Sequence, residues 1–248
     1  MRGQRSVIVV TALTSVLASA AVASAQTAPR LTQLEQAIAC APPTNNAGMA
    51  AKLHVLGAQD TMDRVLYGTG DLLVIDGGTG ADVQIGERFY VRRANEFGGI
   101  PDGTAVTSAW VTIVAVNETT AIASIEHLCG AILRRDYLEA FVPPAAPSGS
   151  DHADDAGDPD FGAMGKIVIG SERRSIVGAG DFALIDRGTE QGVAAGSRFA
   201  VYRNVGQGLP LTSIGEAVVV STGTTTALAR ITRSRDAIFV GDYVVPRK

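Results

Sequence analysis

Two stretches of the chain carry the same order of apolar and polar positions. Residues 68–93, GTGDLLVIDGGTGADVQIGERFYVRR, return as residues 178–203, GAGDFALIDRGTEQGVAAGSRFAVYR. They align without a gap at a spacing of 110 and are identical at 13 of 26 positions. Self-similarity at one spacing is the mark of a duplicated unit. In each copy a short apolar run (LLVI, FALI) bounded by glycine predicts a strand. The turn cluster from Asp76 to Asp82 follows, rich in residues that tolerate positive φ or cap the backbone. ERFYVRR then alternates, with Arg88, Tyr90 and Arg92 on one side and Phe89 and Val91 on the other, the pattern of a half-buried strand.

The flanking segments extend the match. Residues 52–56 predict a first strand equivalent to 166–169, which gives copy one three extra residues before Gly68. After Arg93 the Gly/Pro loop 94–104 is longer than its counterpart, and the spacing falls from 110 to 106. Residues 105–116 form a long β-branched run, 120–125 match 226–231 as second arms of hairpins, and 131–137 match 237–243. Five or six short strands per copy predict an all-β chain of two small closed barrels or sandwiches, at 51–143 and 162–248.

Between them, 144–161 is rich in Pro, Ser, Gly and Asp and reads as a spacer. Its aspartates (151, 154, 155, 158, 160) lack the regular order and distal glutamate of a calcium loop, so a solvated spacer is expected. Within the 26–50 connector, Leu31, Leu34, Ala37 and Ile38 fall at helical spacing, and Pro42-Pro43 ends the helix. This helix is expected to lie across the first barrel as a lid.

Residues 1–25 read as a secretory signal peptide. Arg2 and Arg5 precede an apolar run over 7–22, and Ala23-Ser24-Ala25 has the form of a cleavage site that would leave Gln26 first. The run is too short for a membrane span. Ala37-Ile38-Ala39 before Cys40 superficially suits lipid attachment, but Glu35 and two glutamines separate it from the apolar core, and that reading is rejected. Loss of Arg2 and Arg5 takes the 21 basic residues to 19 against 25 acidic, a net charge of −6. That balance argues against nucleic acid or an anionic membrane surface as partner. In an oxidising compartment the two cysteines, Cys40 and Cys129, favour a disulfide, the alternative being two buried free thiols.

Positions shared by the copies are mainly Gly, Asp and apolar: Gly70, Asp71, Asp76, Gly78 and Gly86 in the first, and Gly180, Asp181, Asp186, Gly188 and Gly196 in the second. That is a profile of backbone geometry and core. The aspartates are expected to cap turns; the competing reading makes Asp71, Asp76, Asp181 and Asp186 the acids of a hydrolase. The sequence holds no G-x-S-x-G, H-E-x-x-H, C-x-x-C or P-loop, and its three histidines (54, 127, 152) are scattered. No metal or cofactor is expected. Trp110 is the single tryptophan, with Glu216 in its place in copy two; it is read as a core or rim residue, with glycan binding through it and the 94–104 loop as the alternative.

The pattern GD-x-x-x-ID-x-G-x-x-x-x-V-x-x-G-x-x-F-x-V-x-R, from Gly70 to Arg93 and from Gly180 to Arg203, with the tail Ala237 to Val244, resembles the C-terminal domain of flagellar assembly protein T. It is also similar to C-terminal modules attached to LysM domains in exported bacterial proteins. Copy one departs at Arg135, where copy two has Gly241, and a LysM module is not visible. The resemblance implies small SH3-like β-barrels in a bacterial envelope, without catalysis or cofactor. The expected function is a periplasmic or secreted interaction and assembly module whose partner is an envelope protein or wall component, the alternative being a wall-glycan or small-ligand binder.

Overall fold

A computed structural model describes residues 31–44, 51–61, 64–94, 104–145, 157–206 and 208–247. The expected signal peptide over 1–25, its expected Ala25–Gln26 junction, most of the 94–104 loop and Asp151, Asp154 and Asp155 lie outside the described residues. Copy one contributes β1 (Val55–Ala58), β2 (Leu72–Ile75), β3 (Arg88–Ala94), β4 (Ala105–Val116), β5 (Ala121–Leu128) and β6 (Tyr137–Ala140). They form one antiparallel sheet in the order β1-β2-β5-β4-β3-β6. Copy two contributes β7 (Gly165–Gly170), β8 (Ile176–Val177), β9 (Phe182–Ile185), β10 (Arg198–Arg203), β11 (Thr212–Thr222), β12 (Ala227–Ser234), β13 (Ile238–Phe239) and β14 (Tyr243–Pro246). Six of these close into a barrel, β10-β11-β12-β9-β7-β14, while β8 and β13 pair as a separate ribbon.

The strand orders coincide when β1 is matched to β7, β2 to β9, and β3 to β6 with β10, β11, β12 and β14. The copies differ at the seam. In copy two, Tyr243 and Val244 pair with Lys166 and Gly165 and complete the cylinder. In copy one the seam carries an isolated bridge, His54 to Tyr137, with Leu138 N–H donating to the Leu53 carbonyl at 2.8 Å. Copy one is therefore a six-stranded half-barrel rather than a closed one. Each interior is apolar: Leu73, Ile75, Val91, Ile113 and Ile125 in copy one, and Ile167, Ile185, Phe199, Val219 and Ile231 in copy two.

The first-strand match shifts in the structure. Val55 pairs with Ile75 as Ile167 pairs with Ile185, so His54, not Lys52, is the counterpart of Lys166. Copy one then carries two extra residues before Gly68; pairing Lys52 with Lys166 would require four, and aligning the segment ends, Leu56 with Ile169, three. The shared lysine misleads because it is solvated, whereas the core-facing Val55 and Ile167 set the register.

The helix α1 (Gln33–Cys40) opens with a capping box: Thr32 N–H donates to the Glu35 carboxylate at 2.7 Å, and Glu35 N–H donates to Thr32 Oγ1. Eight residues make a marginal helix alone, so tertiary contact must hold it. It does not lie on the first barrel only. Leu34, Ile38 and Ala41 pack on Phe182, Val220 and Leu228 of copy two. Ala39, Leu31 and Cys40 pack on Tyr90, Trp110 and Phe141 of copy one. A small direct contact, Val106 with Val168, Ile169 and Leu184, joins the copies beside it. Residues 31–248 form one compact unit. The spacer also ends earlier than its composition suggests. Pro159 bridges to Arg247, and Asp160 N–H donates to the Pro246 carbonyl at 2.8 Å, so its last residues dock on copy two.

Candidate functional site: the cleft between the two copies

The four candidate acids serve the scaffold. Asp71 accepts from Gly68 N–H at 2.6 Å and Asp181 from Gly178 N–H at 2.8 Å, closing the turn before β2 and β9. Each also pairs with an arginine seven residues upstream: Arg64 with Asp71 at 3.0 Å, Arg174 with Asp181 at 3.1 Å. Asp76 and Asp186 do not cap their own turns. Their carboxylates accept from the first strand, at His54 N–H and Lys166 N–H (2.7 Å for the latter), and pin it to β2 or β9. All four lie within their own copy's strand connections.

The glycines have two separate reasons. Gly70, Gly86, Gly180 and Gly196 sit at φ near +90°, where a side chain is penalised. Gly78 and Gly188 have ordinary φ and are fixed by close approach: a Cβ on Gly78 would lie 2.1 Å from the Asn117 carbonyl oxygen.

Pairing between the repeats' arginines and aspartates is a feature the sequence reading missed. Arg93 binds the Asp136 carboxylate through Nε (2.7 Å) and Nη2 (2.8 Å), and Nη2 also reaches the Ala131 carbonyl. Arg203 repeats this on Asp242, at 3.1 and 2.6 Å, and on the Ala237 carbonyl. Each carboxylate takes a further backbone N–H, from Leu133 and Phe239. The Asp242 bond raises the affinity of the Arg203 guanidinium for its proton. Arg93 and Arg203 recur at 110, and Asp136 and Asp242 at 106; their joint retention was the available signal.

Where copy one has Tyr90, Trp110 and Phe141, copy two has Ala200, Glu216 and Arg247. Tyr90 and Phe141 rings stand 4.7 Å apart, and His127 stacks on the Trp110 indole at 4.3 Å. α1 covers this platform, leaving Trp110 only 4 % exposed. In copy two the same positions form an ion pair instead, Arg247 to Glu216 at 3.3 Å. Trp110 is thus a helix-docking residue and presents no open ring face. Cys40 and Cys129 are joined as a disulfide, which clamps α1 to the end of β5. His127 lies within 4.8 Å of both sulfurs, but a bonded pair supplies no thiolate to a metal.

Helix, platform and second copy leave a cleft of about 370 Å³ between them. Pro42 and Pro43 form one wall and Pro143 and Pro144 another, with Tyr90, Leu228 and Ser221 behind. Its polar feature is Arg92, whose Nη1 donates to Glu139 at 2.6 Å and whose guanidinium lies 4.4 Å from the Tyr90 ring centroid. Arg92 Nε is buried without a hydrogen-bond partner. Tyr90 Oη donates to the Val142 carbonyl, and burial raises its proton affinity. Four prolines make the walls stiff. The lining combines one ion pair, Arg92 with Glu139, with prolines and small apolar side chains. Neither the known protein-family models nor the curated proteins contain a match to this chain.

Proposed function

We propose that the chain is an exported, non-enzymatic interaction module of a bacterial envelope, an SH3-like closed barrel and its half-barrel twin locked by a helix and a disulfide. One observation carries the reading. Among the charged residues kept by both copies, Asp71, Asp76, Arg93 and Asp136 with their twins are engaged by backbone or by each other inside the fold. Duplication retained scaffold chemistry, which fits a protein that binds rather than transforms. The disulfide agrees with an oxidising compartment, and no helix among the described residues is long and apolar enough to cross a membrane. The resemblance to the flagellar assembly protein T domain belongs to this proposal. Chemical crosslinking in an envelope fraction, with adducts identified by mass spectrometry, tests it: a specific protein or wall adduct is expected, and substrate turnover by the purified chain would overturn it.

A second reading places a small ligand in the cleft, favoured by the buried, unpartnered Arg92 Nε beside Glu139. An acceptor-bearing ligand that binds there would lose affinity in Arg92→Met, measured by calorimetry.

A further inference from the structure

The outer faces of the two copies are built alike but covered differently. In copy two, Phe182 and Leu184 of β9, Val220 of β11 and Leu228 of β12 lie outside the barrel core, yet all are buried. Leu34, Ile38 and Ala41 of the α1 segment cover Phe182, Val220 and Leu228, and Val106 covers Leu184. Their counterparts in copy one are Leu72, Val74, Val114 and Ile122, all apolar. They occupy the same register: Val74 pairs with Ile122 as Leu184 pairs with Leu228, and Val114 sits in the bulge that Val220 occupies in β11. None of the four is fully buried, and Val114 is 44 % exposed. β2 therefore alternates half-buried and buried, whereas all four residues of β9 are buried.

A solvated outer strand face of an antiparallel sheet is normally polar. Here it stays apolar at four positions whose twins are a helix seat. The structure itself displays the occupant that such a face takes: a short amphipathic helix with large apolar residues four apart, as Leu34 and Ile38 are, followed at its C-cap by a small residue, as Ala41 is. This chain's own α1 is held elsewhere, between the copies and by the Cys40–Cys129 bond. Among the described residues α1 is the only α-helix, and it is already seated.

We infer that the outer face of copy one, around Val74, Val114 and Ile122, is the docking site for an amphipathic helix of a partner protein, seated as α1 is seated on copy two. The assignment names the partner chemistry of the interaction module and rests on that reading.

The probe is a synthetic peptide of residues 31–44 carrying Cys40→Ser, titrated into the full, disulfide-bonded chain labelled with ¹⁵N. Expected are amide shift changes at Leu72, Val74, Val114 and Ile122, with binding at least about tenfold weaker in Ile122→Glu, because a buried unpaired carboxylate opposes docking. Val240→Glu, on an exposed residue of copy two, should bind as the parent does. A melt of each variant establishes that it is folded. Shifts confined to Phe182, Val220 and Leu228, or none, overturn the site. A parent chain that sediments as a dimer, returned to monomer by Ile122→Glu, also overturns it, since the occupant is then a second copy. Envelope capture separates this failure from that of the broader reading: a partner held equally by parent and Ile122→Glu defeats the face alone, and no partner for either defeats both.

Discussion

Arg93 grips Asp136 with two hydrogen bonds, 2.7 and 2.8 Å, and Arg203 grips Asp242 in the same way in copy two. Asp136 is 3 % exposed, and its carboxylate is held by this partner, by the Leu133 N–H and by the Ser108 hydroxyl. The pair joins the end of β3 to the turn before β6, the seam at which copy one carries an isolated bridge.

Arg93→Ala should therefore destabilise the protein by about 3–5 kcal/mol, the cost of leaving a buried carboxylate uncompensated. Urea unfolding followed by circular dichroism measures it. Arg93→Ala combined with Asp136→Ala should cost less than the two single changes added together, because they share one interaction.

Arg135 holds φ +71° where Gly241 holds +94°, and the N–H of each donates at 2.8 Å to the first strand, at Val55 and Ile167. Copy one thus keeps a glycine conformation with an arginine in it. Arg135→Gly should raise stability by about 1 kcal/mol, and Gly241→Arg should lower it by about 1–2 kcal/mol. Midpoints of chemical denaturation at constant slope decide both.

The disulfide closes a loop of 89 residues and fixes α1 over the only tryptophan. In the chain-entropy account its loss costs about 4–5 kcal/mol. Cys40→Ser with Cys129→Ser should melt well below the parent. Trp110 emission should shift to the red as the helix frays from the platform, at temperatures where the parent spectrum is unchanged.

Burial pushes the Tyr137 hydroxyl up to about 12, and Tyr90 is raised in the same direction. An unfolded tyrosine ionises near pH about 10. The folded pKa lies above the unfolded one, so the Tyr137 contribution is complete below about pH 10. It is lost as pH rises towards about 12, up to about 2–3 kcal/mol. Absorbance at the tyrosinate band should rise together with loss of the circular dichroism signal in that window, and Tyr137→Phe should flatten the dependence.

Much of this architecture was legible because duplication exposed it. The LLVI and FALI runs, the glycine turns and the alternating strands gave the β elements and their equivalence. The helical spacing of Leu34, Ala37 and Ile38, with Pro42-Pro43 after it, marked α1; its capping box was not read. What the pattern did not contain was the outward side of each strand. Leu72 and Phe182 are both apolar in sequence, yet one is half-exposed and the other buried under a helix. Strand periodicity reports alternation, not what lies above a sheet. Trp110 and Tyr90 are intelligible only once α1 is placed over them; Ala200 and Glu216 stand in their positions in copy two. Asp76 and Asp186 were recognised as structural, but the strand they hold is far away in sequence, and turn chemistry alone does not name it.

The most direct measurement is site-specific photocrosslinking in an envelope fraction, with the photoreactive residue placed at Val114 of copy one and, separately, at Val240 of copy two. The account predicts one discrete adduct from Val114 that maps to an amphipathic helix, and none of comparable yield from Val240. Adducts from neither position, with a substrate consumed by the purified chain, would contradict it.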